Sequence, residues 1–233
     1  MNIATFSKLS LTVGAVALIS ACTSGTGGGG GGGATGGGSA PKTVAEYNAG
    51  RNAVLGTPAT SDMPTALSGT YRGGANFTLS EVGTGKTGNM LADLELAVNW
   101  TDGQTTNPWS GKADNLRGSY DGKDYTATGQ LDVVDRPATA TGDYIKRTVT
   151  NTGNIPGAPA GIPNVTVATG SGTIFLKGTF DGDGTPATAN VILAPTFHGA
   201  GGSSIEGSAL GTVETSASKF GGLGVGGTFY ATK

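Results

Sequence analysis

From Leu67 onward the chain alternates apolar and polar residues, which is the pattern of β-strands that bury one face. The clearest run has an apolar residue at every even position: Met90, Ala92, Leu94, Leu96, Val98 and Trp100. A helix that aligns Leu91, Leu94 and Val98 is the alternative for this run. Shorter alternating runs cover residues 67–71, 77–79, 125–133, 174–180, 191–193 and 225–229, and residues 109–120 form a run with glycine kinks. The pattern predicts an all-β domain.

Glycine-containing turns separate these runs. Asp102-Gly103 and Asp121-Gly122 are hairpin signals, because glycine accepts and aspartate tolerates a positive φ. Strands at such short intervals predict a single antiparallel up-and-down barrel of about eight strands, with a β-sandwich as the alternative. Glycines inside the strands favour the barrel, in which strands bend sharply: Gly111, Gly118, Gly129 and Gly178. The polar second face argues against a membrane barrel, whose outer face is apolar.

One long stretch, from Arg136 to Gly170, interrupts the regular spacing. It contains four prolines, at positions 137, 156, 159 and 163, so we expect it to pair only weakly, through residues 144–149 and 165–167. A loop of this length in a compact domain is usually functional or mobile. We therefore expect this stretch to be the main surface that the barrel presents to a ligand.

Before the barrel, the residues from Val44 to Leu55 have apolar side chains at helical spacing. Thr43 is a candidate N-cap with Glu46 three residues later, and Gly56 with the following proline ends the pattern. We predict a short helix whose apolar side packs on the end of the barrel. A disordered stalk is the alternative.

The first 21 residues have the three zones of an export signal. Lys8 gives a positive start, residues 9–19 are apolar, and Ser20 and Ala21 are small. The apolar run is about half the length of a membrane-spanning helix. The next residue, Cys22, is the single cysteine of the chain. An ordinary soluble exported protein with a chance cysteine is the alternative.

The residues around Cys22 resemble the lipobox of bacterial lipoproteins. Aliphatic Leu18 and Ile19 and two small residues precede the cysteine. The resemblance implies cleavage between Ala21 and Cys22, acylation of the Cys22 thiol and amine, and a lipid-anchored protein. Several acyl chains hold a protein on a membrane far more firmly than one chain.

A nearly pure glycine tract follows Cys22, and it predicts a disordered tether because it buries no apolar area. The domain boundaries are therefore a signal peptide at residues 1–21, an acylated cysteine and tether at 22–42, a short helical segment at 43–63, and the β-barrel at 64–233. Acylation of Cys22 leaves no thiol for a disulfide.

Composition narrows the possible functions. The formal charge is −2 and becomes −3 when Lys8 leaves with the signal, so nucleic acid is not an expected partner. Gly83-Thr84-Gly85-Lys86-Thr87 resembles a phosphate loop, but Ser80 stands where the motif needs glycine, and a turn with an exposed lysine is the better interpretation. We predict no cofactor.

Acidic residues and the single histidine give weak metal or catalytic signals. Asp181-Gly182-Asp183-Gly184 has alternating oxygens, as calcium loops do, but no distal carboxylate before Glu206. His198 has no evident metal companion. Asp93 and Glu95 share one strand face, which we interpret as solvated. We predict no metal site, no catalytic residue and no enzyme, although a hydrolase with an unrecognised site is a further alternative.

Four aromatic residues lie near predicted strand ends: Trp100, Trp109, Tyr120 and Tyr125. They either close one end of the barrel or line a ligand patch. The sequence does not identify ligand-binding residues.

The C-terminal half resembles a known family of barrels. The motifs are Gly178-Thr179-Phe180, Phe197-His198-Gly199 leading into Ile205-Glu206-Gly207, and the closing Gly226-Gly227-Thr228-Phe229-Tyr230-Ala231. They look like the glycine–aromatic strand signatures of transferrin-binding protein B and factor H-binding protein, surface lipoproteins of gram-negative bacteria. Factor H-binding protein also carries a polyglycine tract after its lipobox cysteine. The resemblance covers the tether and about residues 67–233.

This resemblance implies an outer-membrane lipoprotein, more often surface-exposed than periplasmic, that presents a non-catalytic barrel to a ligand. The expected ligand is a host protein, an envelope protein or a small solute. The alternative is a periplasm-facing structural lipoprotein of the envelope without an exchangeable ligand.

Overall fold

The architecture comes from a computed structural model, which describes residues 40–81, 83–151, 165–182, 184–215 and 222–233. It contains helix α1 (Val44–Leu55). The strands are β1 (Ala66–Glu81), β2 (Thr87–Thr101), β3 (Trp109–Tyr120), β4 (Lys123–Thr126), β5 (Thr128–Val134), β6 (Ile145–Asn151), β7 (Thr166–Gly172), β8 (Ile174–Gly182), β9 (Thr185–His198), β10 (Ser204–Thr215) and β11 (Leu223–Thr232). The described part of the chain has no helix that is both long and apolar enough to cross a membrane.

The strands form a closed antiparallel ring. The order is β1-β2-β3-β5-β8-β9-β10-β11, and β11 pairs back with β1. Strand β4 pairs with β3 and continues into β5 after Ala127, so the two occupy one position in the ring. The predicted eight-stranded up-and-down barrel is therefore confirmed. Closure removes the unpaired edges that an open sheet would expose.

The alternating residues fill the interior as predicted. On β2, Leu94, Leu96, Val98 and Trp100 are buried and face inward, so the helical alternative for this run is wrong. Leu91 is buried as well, but on the outer side, where it packs with α1.

Glycine is required where a strand approaches its neighbour closely. Gly111 has a φ of 122°, and an added Cβ would overlap the carbonyl oxygen of Glu95 on β2. An L-residue at this position would be strained in its backbone and in its contact.

The end of the barrel where β1 begins is filled with aromatic rings. Trp109 stacks on Phe197, with centroids 6.3 Å apart, and Tyr71 meets both rings. Met63, from the segment before β1, is buried in the same core. The Tyr71 hydroxyl donates to the Gly202 carbonyl at 2.5 Å, which ties the core to the β9–β10 connection. We call this the closed end.

Helix α1 has the predicted bounds and cap: the Thr43 hydroxyl accepts a hydrogen bond from the Glu46 amide at 3.1 Å. It packs on the outer wall of the barrel, where the Tyr47 ring lies 5.5 Å from that of Tyr230. The prediction that four apolar side chains of α1 pack on the barrel is correct for two of them. Tyr47 and Val54 are buried, whereas Val44 and Leu55 are each 43% exposed.

The chain is held where it enters the described region. The Arg117 guanidinium donates to the Pro41 carbonyl and to Asp93 Oδ1, the latter at 2.8 Å. Pro41 also covers Gly74 on β1, where a Cβ would collide with the proline ring. These contacts fix residues 40–42 against the wall at β1, β2 and β3.

The stretch from Arg136 to Gly170 pairs more than the sequence suggested. Strands β6 and β7 form a hairpin with seven paired positions from Ile145–Gly172 to Asn151–Thr166. The hairpin joins the barrel through the Ser171–Thr196 pair, and a parallel bridge between Asp62 and Ala168 joins it to the segment before β1. The paired strands overlap the two segments expected from the sequence, 144–149 and 165–167, but the pairing is longer than predicted. Residues 152–164 lie outside the described residues.

Candidate functional site: the open mouth of the barrel

The end of the barrel opposite the closed end opens into a cavity of about 370 Å³. Its lining is mainly apolar and comes from strands all around the ring: Leu79, Met90, Ala127, Phe180, Ala187, Val213 and Leu223, with Tyr120 and Tyr125 nearer the lip. Small-molecule pockets commonly measure ~300–1,000 Å³ and lie in barrel mouths among other places. The cavity therefore has the size and chemistry of a ligand site.

Small inward residues create this space. Ala127, Gly182 and Ala187 lie at three neighbouring positions of the ring and face the cavity. A Cβ at Gly182 would lie 3.6 Å from the Tyr125 ring, an ordinary contact, so the glycine leaves usable volume.

The floor of the cavity is packed. Leu79, Met90, Phe180 and Val213 also bound a deeper void of about 10 Å³, which is at the lower limit for one water molecule. Below that level the interior is filled down to the closed end. A ligand can therefore occupy a cup at the mouth but cannot pass through the barrel.

A hydrogen-bonded polar group lies at the lip. Tyr120 Oη donates to Glu81 Oε2 at 3.0 Å, and Thr84 Oγ1 donates to the same oxygen at 2.8 Å. The bonds from Thr84 and then Tyr120 lower the pKa of the Glu81 carboxyl. Burial, followed by the bond to Glu81, raises the pKa of Tyr120 to about 12. At neutral pH the lip therefore holds an anion and a neutral phenol.

The structure separates the four aromatic residues that the sequence grouped. Trp100 and Trp109 belong to the core at the closed end, whereas Tyr120 and Tyr125 line the mouth. Both interpretations of the group thus apply, one at each end. The tryptophan ring nitrogens are buried without a hydrogen-bond partner among the described residues, so these two rings contribute through packing alone.

His198 lies where the segment after α1 contacts the barrel, away from the mouth. The residue is 8% exposed, and its Nδ1 is 2.9 Å from the Thr57 carbonyl oxygen, which can only accept. Nδ1 is therefore the protonated nitrogen. Nε2 lies 4.0 Å from a carboxylate oxygen of Glu206, whose other oxygen binds Arg51 at 3.1 Å. In the described residues no three His, Cys, Asp or Glu side chains gather as a metal site requires.

The remaining candidate residues form turns and ion pairs. The residues after Gly83 make the turn between β1 and β2, and Lys86 pairs with Asp121 at 3.6 Å. Asp93 and Glu95 face outward, as expected for a solvated face. Each also forms an ion pair, Asp93 with Arg117 and Glu95 with Arg72. Asp183 of the Asp181-Gly182-Asp183-Gly184 motif lies outside the described residues, as do Ala21 and Cys22.

Sequence reasoning missed the cavity. The available signal was the set of small residues that fall in phase with buried ones near strand ends, such as Ala187 two residues before Ala189 on β9. Small residues on separate strands predict a cavity only once the ring is known to bring those strands together.

The fold and the cavity define a class of protein: a small closed barrel, plugged at one end and open to an apolar cup at the other. The chain matches no family model, no curated protein and no solved structure. The site geometry and the sequence motifs therefore carry the functional argument.

Proposed function

We propose that the protein is a lipid-anchored, non-catalytic binding module of the outer membrane that takes a small apolar solute into the mouth of its barrel. The single observation that carries this proposal is the apolar cup of about 370 Å³ above a packed floor. Burial of apolar ligand surface in such a cup contributes about 25 cal/mol per Å².

The lipobox and the glycine tract support the anchored part of the proposal. An acylated Cys22 would hold the chain on the membrane, and the tether would let the barrel stand away from it. The resemblance to surface lipoprotein barrels favours exposure at the cell surface. A host protein could bind the same barrel through the region between Arg136 and Gly170, but the cavity favours a small solute.

Filling the cup tests the binding proposal. Ala187→Phe places a ring in the cavity, so we expect at least a tenfold loss of affinity for the neutral probe N-phenyl-1-naphthylamine, measured by fluorescence titration of the purified full chain. Ala194→Phe is the matched control, because Ala194 lies on the same strand but faces outward and is exposed. We expect it to change affinity less than twofold.

Two results would contradict the binding proposal. One is a wild-type chain that binds no probe, and the other is an Ala187→Phe variant that binds as tightly as wild type. Thermal unfolding of both variants shows whether each barrel remains folded.

Replacing the cysteine tests the anchor. Cys22→Ser removes the thiol that would be acylated, so we expect the protein to move from the membrane pellet to the soluble fraction of the cell envelope and to lose the added acyl mass. Thr23→Ser, a conservative change at the next residue, should leave fractionation and mass modification unchanged. An unmodified sulfur in the mature wild-type protein would refute lipid attachment.

A further inference from the structure

Glu81 continues the inward face of β1 up to the lip of the cup. Phe77 and Leu79 are buried and face the interior, and Glu81 is the next residue in phase with them. It is half-buried and pairs in register with Leu223, which lines the cup. The sheet geometry therefore places a carboxylate on the inner side of the opening.

The two oxygens of Glu81 are used unequally. Oε2 accepts both protein hydrogen bonds, from Tyr120 at 3.0 Å and from Thr84 at 2.8 Å. Among the described residues, none donates to Oε1. The Tyr120 and Thr84 bonds orient the carboxylate, and they leave one acceptor for a molecule that enters the cup.

Two lysines lie near Glu81, but one is ion-paired with another acid and the other is exposed to water. Lys86, opposite Glu81 at the end of the β1–β2 turn, forms an ion pair with Asp121 at 3.6 Å. After the Thr84 and Tyr120 hydrogen bonds, the Lys86 charge adds only a smaller lowering of the Glu81 pKa. Lys123 pairs across its turn with Tyr120 and is exposed to water, where its field is screened. The charge that a ligand meets on the inner lip is thus the anion of Glu81.

We propose that the solute is a small amphiphile whose apolar body fills the cup and whose hydroxyl or amine head donates a hydrogen bond to Glu81 Oε1. A carboxylate head is disfavoured, because it would bring a second anion to the lip and could donate no hydrogen bond when ionised. This inference rests on the proposed function, since it assigns the ligand class of the same cavity.

The aromatic part of the lining suggests a ring in the ligand body. Tyr120, Tyr125 and Phe180 contribute rings to the cup, and Met90 adds a flexible thioether that adapts to a flat surface. A naphthalene body is therefore a suitable probe of the site.

Three compounds with one body and different heads test the inference: 1-naphthylmethanol, 1-naphthylmethylamine and 1-naphthoate. Calorimetric titration of the full chain at pH 7 should show that the alcohol and the amine bind about tenfold more tightly than the carboxylate. A hydrogen bond to a charged group commonly supplies a difference of this size.

A charge-neutral variant then assigns the preference to one residue. Glu81→Gln removes the negative charge and offers an amide N–H to an anionic head, so the amine-to-carboxylate affinity ratio should fall to within about twofold. Glu95→Gln is the matched control, because Glu95 is an exposed acid on the outer wall, paired with Arg72. It changes the net charge equally and should leave the tenfold ratio intact.

The outcomes separate this inference from the function on which it rests. If none of the compounds and no neutral probe binds, both the binding function and the ligand class are refuted. If all three bind equally, if the carboxylate binds best, or if Glu81→Gln keeps the tenfold ratio, the cup binds ligands but the role of Glu81 is refuted.

Discussion

Replacing Trp100 by alanine is expected to lower the free energy of unfolding by about 3–5 kcal/mol, the usual cost of emptying a buried tryptophan site. Trp100 is 1% exposed and belongs to the continuous core of the barrel. It pairs in register with Leu67 on β1, and alanine would leave a cavity among the surrounding core side chains. Urea denaturation followed by circular dichroism measures the change.

Trp100→Phe is the matched control for this prediction. Because the Trp100 ring nitrogen has no hydrogen-bond partner among the described residues, phenylalanine loses packing area but no bond. We expect its cost to be less than half that of alanine. Equal costs for the two variants, or a cost below about 1 kcal/mol for alanine, would contradict the assignment of Trp100 to the core.

The protein is expected to lose stability steeply as the pH rises above 10. Burial raises the pKa of Tyr71 well above its ordinary value of 10.0. For Tyr47, burial is again the largest cause and raises the pKa to about 12. Both phenols remain protonated in the folded state while the unfolded chain releases their protons. The contribution of the two phenols to the free energy of unfolding is therefore fully present below pH 10. It falls between pH 10 and the pKa of each tyrosine in the folded state, by up to about 1.4 kcal/mol per pH unit for each tyrosine.

Lys233 acts in the opposite direction but at lower pH. Burial lowers its pKa from 10.5, so the folded state gains relative stability as the pH approaches that value and no further above it. The loss between pH 10.5 and 12 should therefore report the tyrosines.

Urea midpoints measured from pH 8 to 12 check this prediction, with Tyr71→Phe as the test variant. Phenylalanine removes the titrating group, so the slope above pH 10 should become shallower by about 1 kcal/mol per pH unit. At neutral pH the same variant should lose about 1–3 kcal/mol, because the Gly202 carbonyl loses its donor. The Trp100→Phe variant keeps all six tyrosines and should keep the full slope. An unchanged slope in Tyr71→Phe would show that Tyr71 ionises without unfolding.

The two ends of the barrel have different roles because they are filled differently. At the closed end, Trp109, Phe197 and Tyr71 pack on one another, and Met63 adds a side chain from outside the ring. At the mouth, alanine and glycine face inward and leave the cup. We therefore expect substitutions at the closed end to change stability and those at the mouth to change binding.

The sequence by itself determined the local structure. A period of two along residues 87–101 is sufficient for a strand because successive side chains point to opposite faces. Asp121 and Gly122 both have positive φ, as the hairpin prediction required. The cap at Thr43 and the bounds of α1 also follow from short-range hydrogen bonds and helix geometry.

The tertiary structure decided the phase of β3 and the pairing of β6 with β7. A bulge next to Asn115, whose φ is 51°, gives β3 an extra residue opposite β2, so Ala113 and Leu116 both face the core although their spacing is odd. The β6–β7 hairpin joins residues on either side of a proline-rich stretch, and no periodicity predicts a partner.

The cavity likewise exists only in the assembled ring. Its volume depends on the small residues Ala127, Gly182 and Ala187, which strands distant in sequence bring together. Sequence patterns record which side of a strand is buried, because that depends on adjacent residues. They do not record how much space remains, because that depends on side chains contributed by strands far apart in the chain.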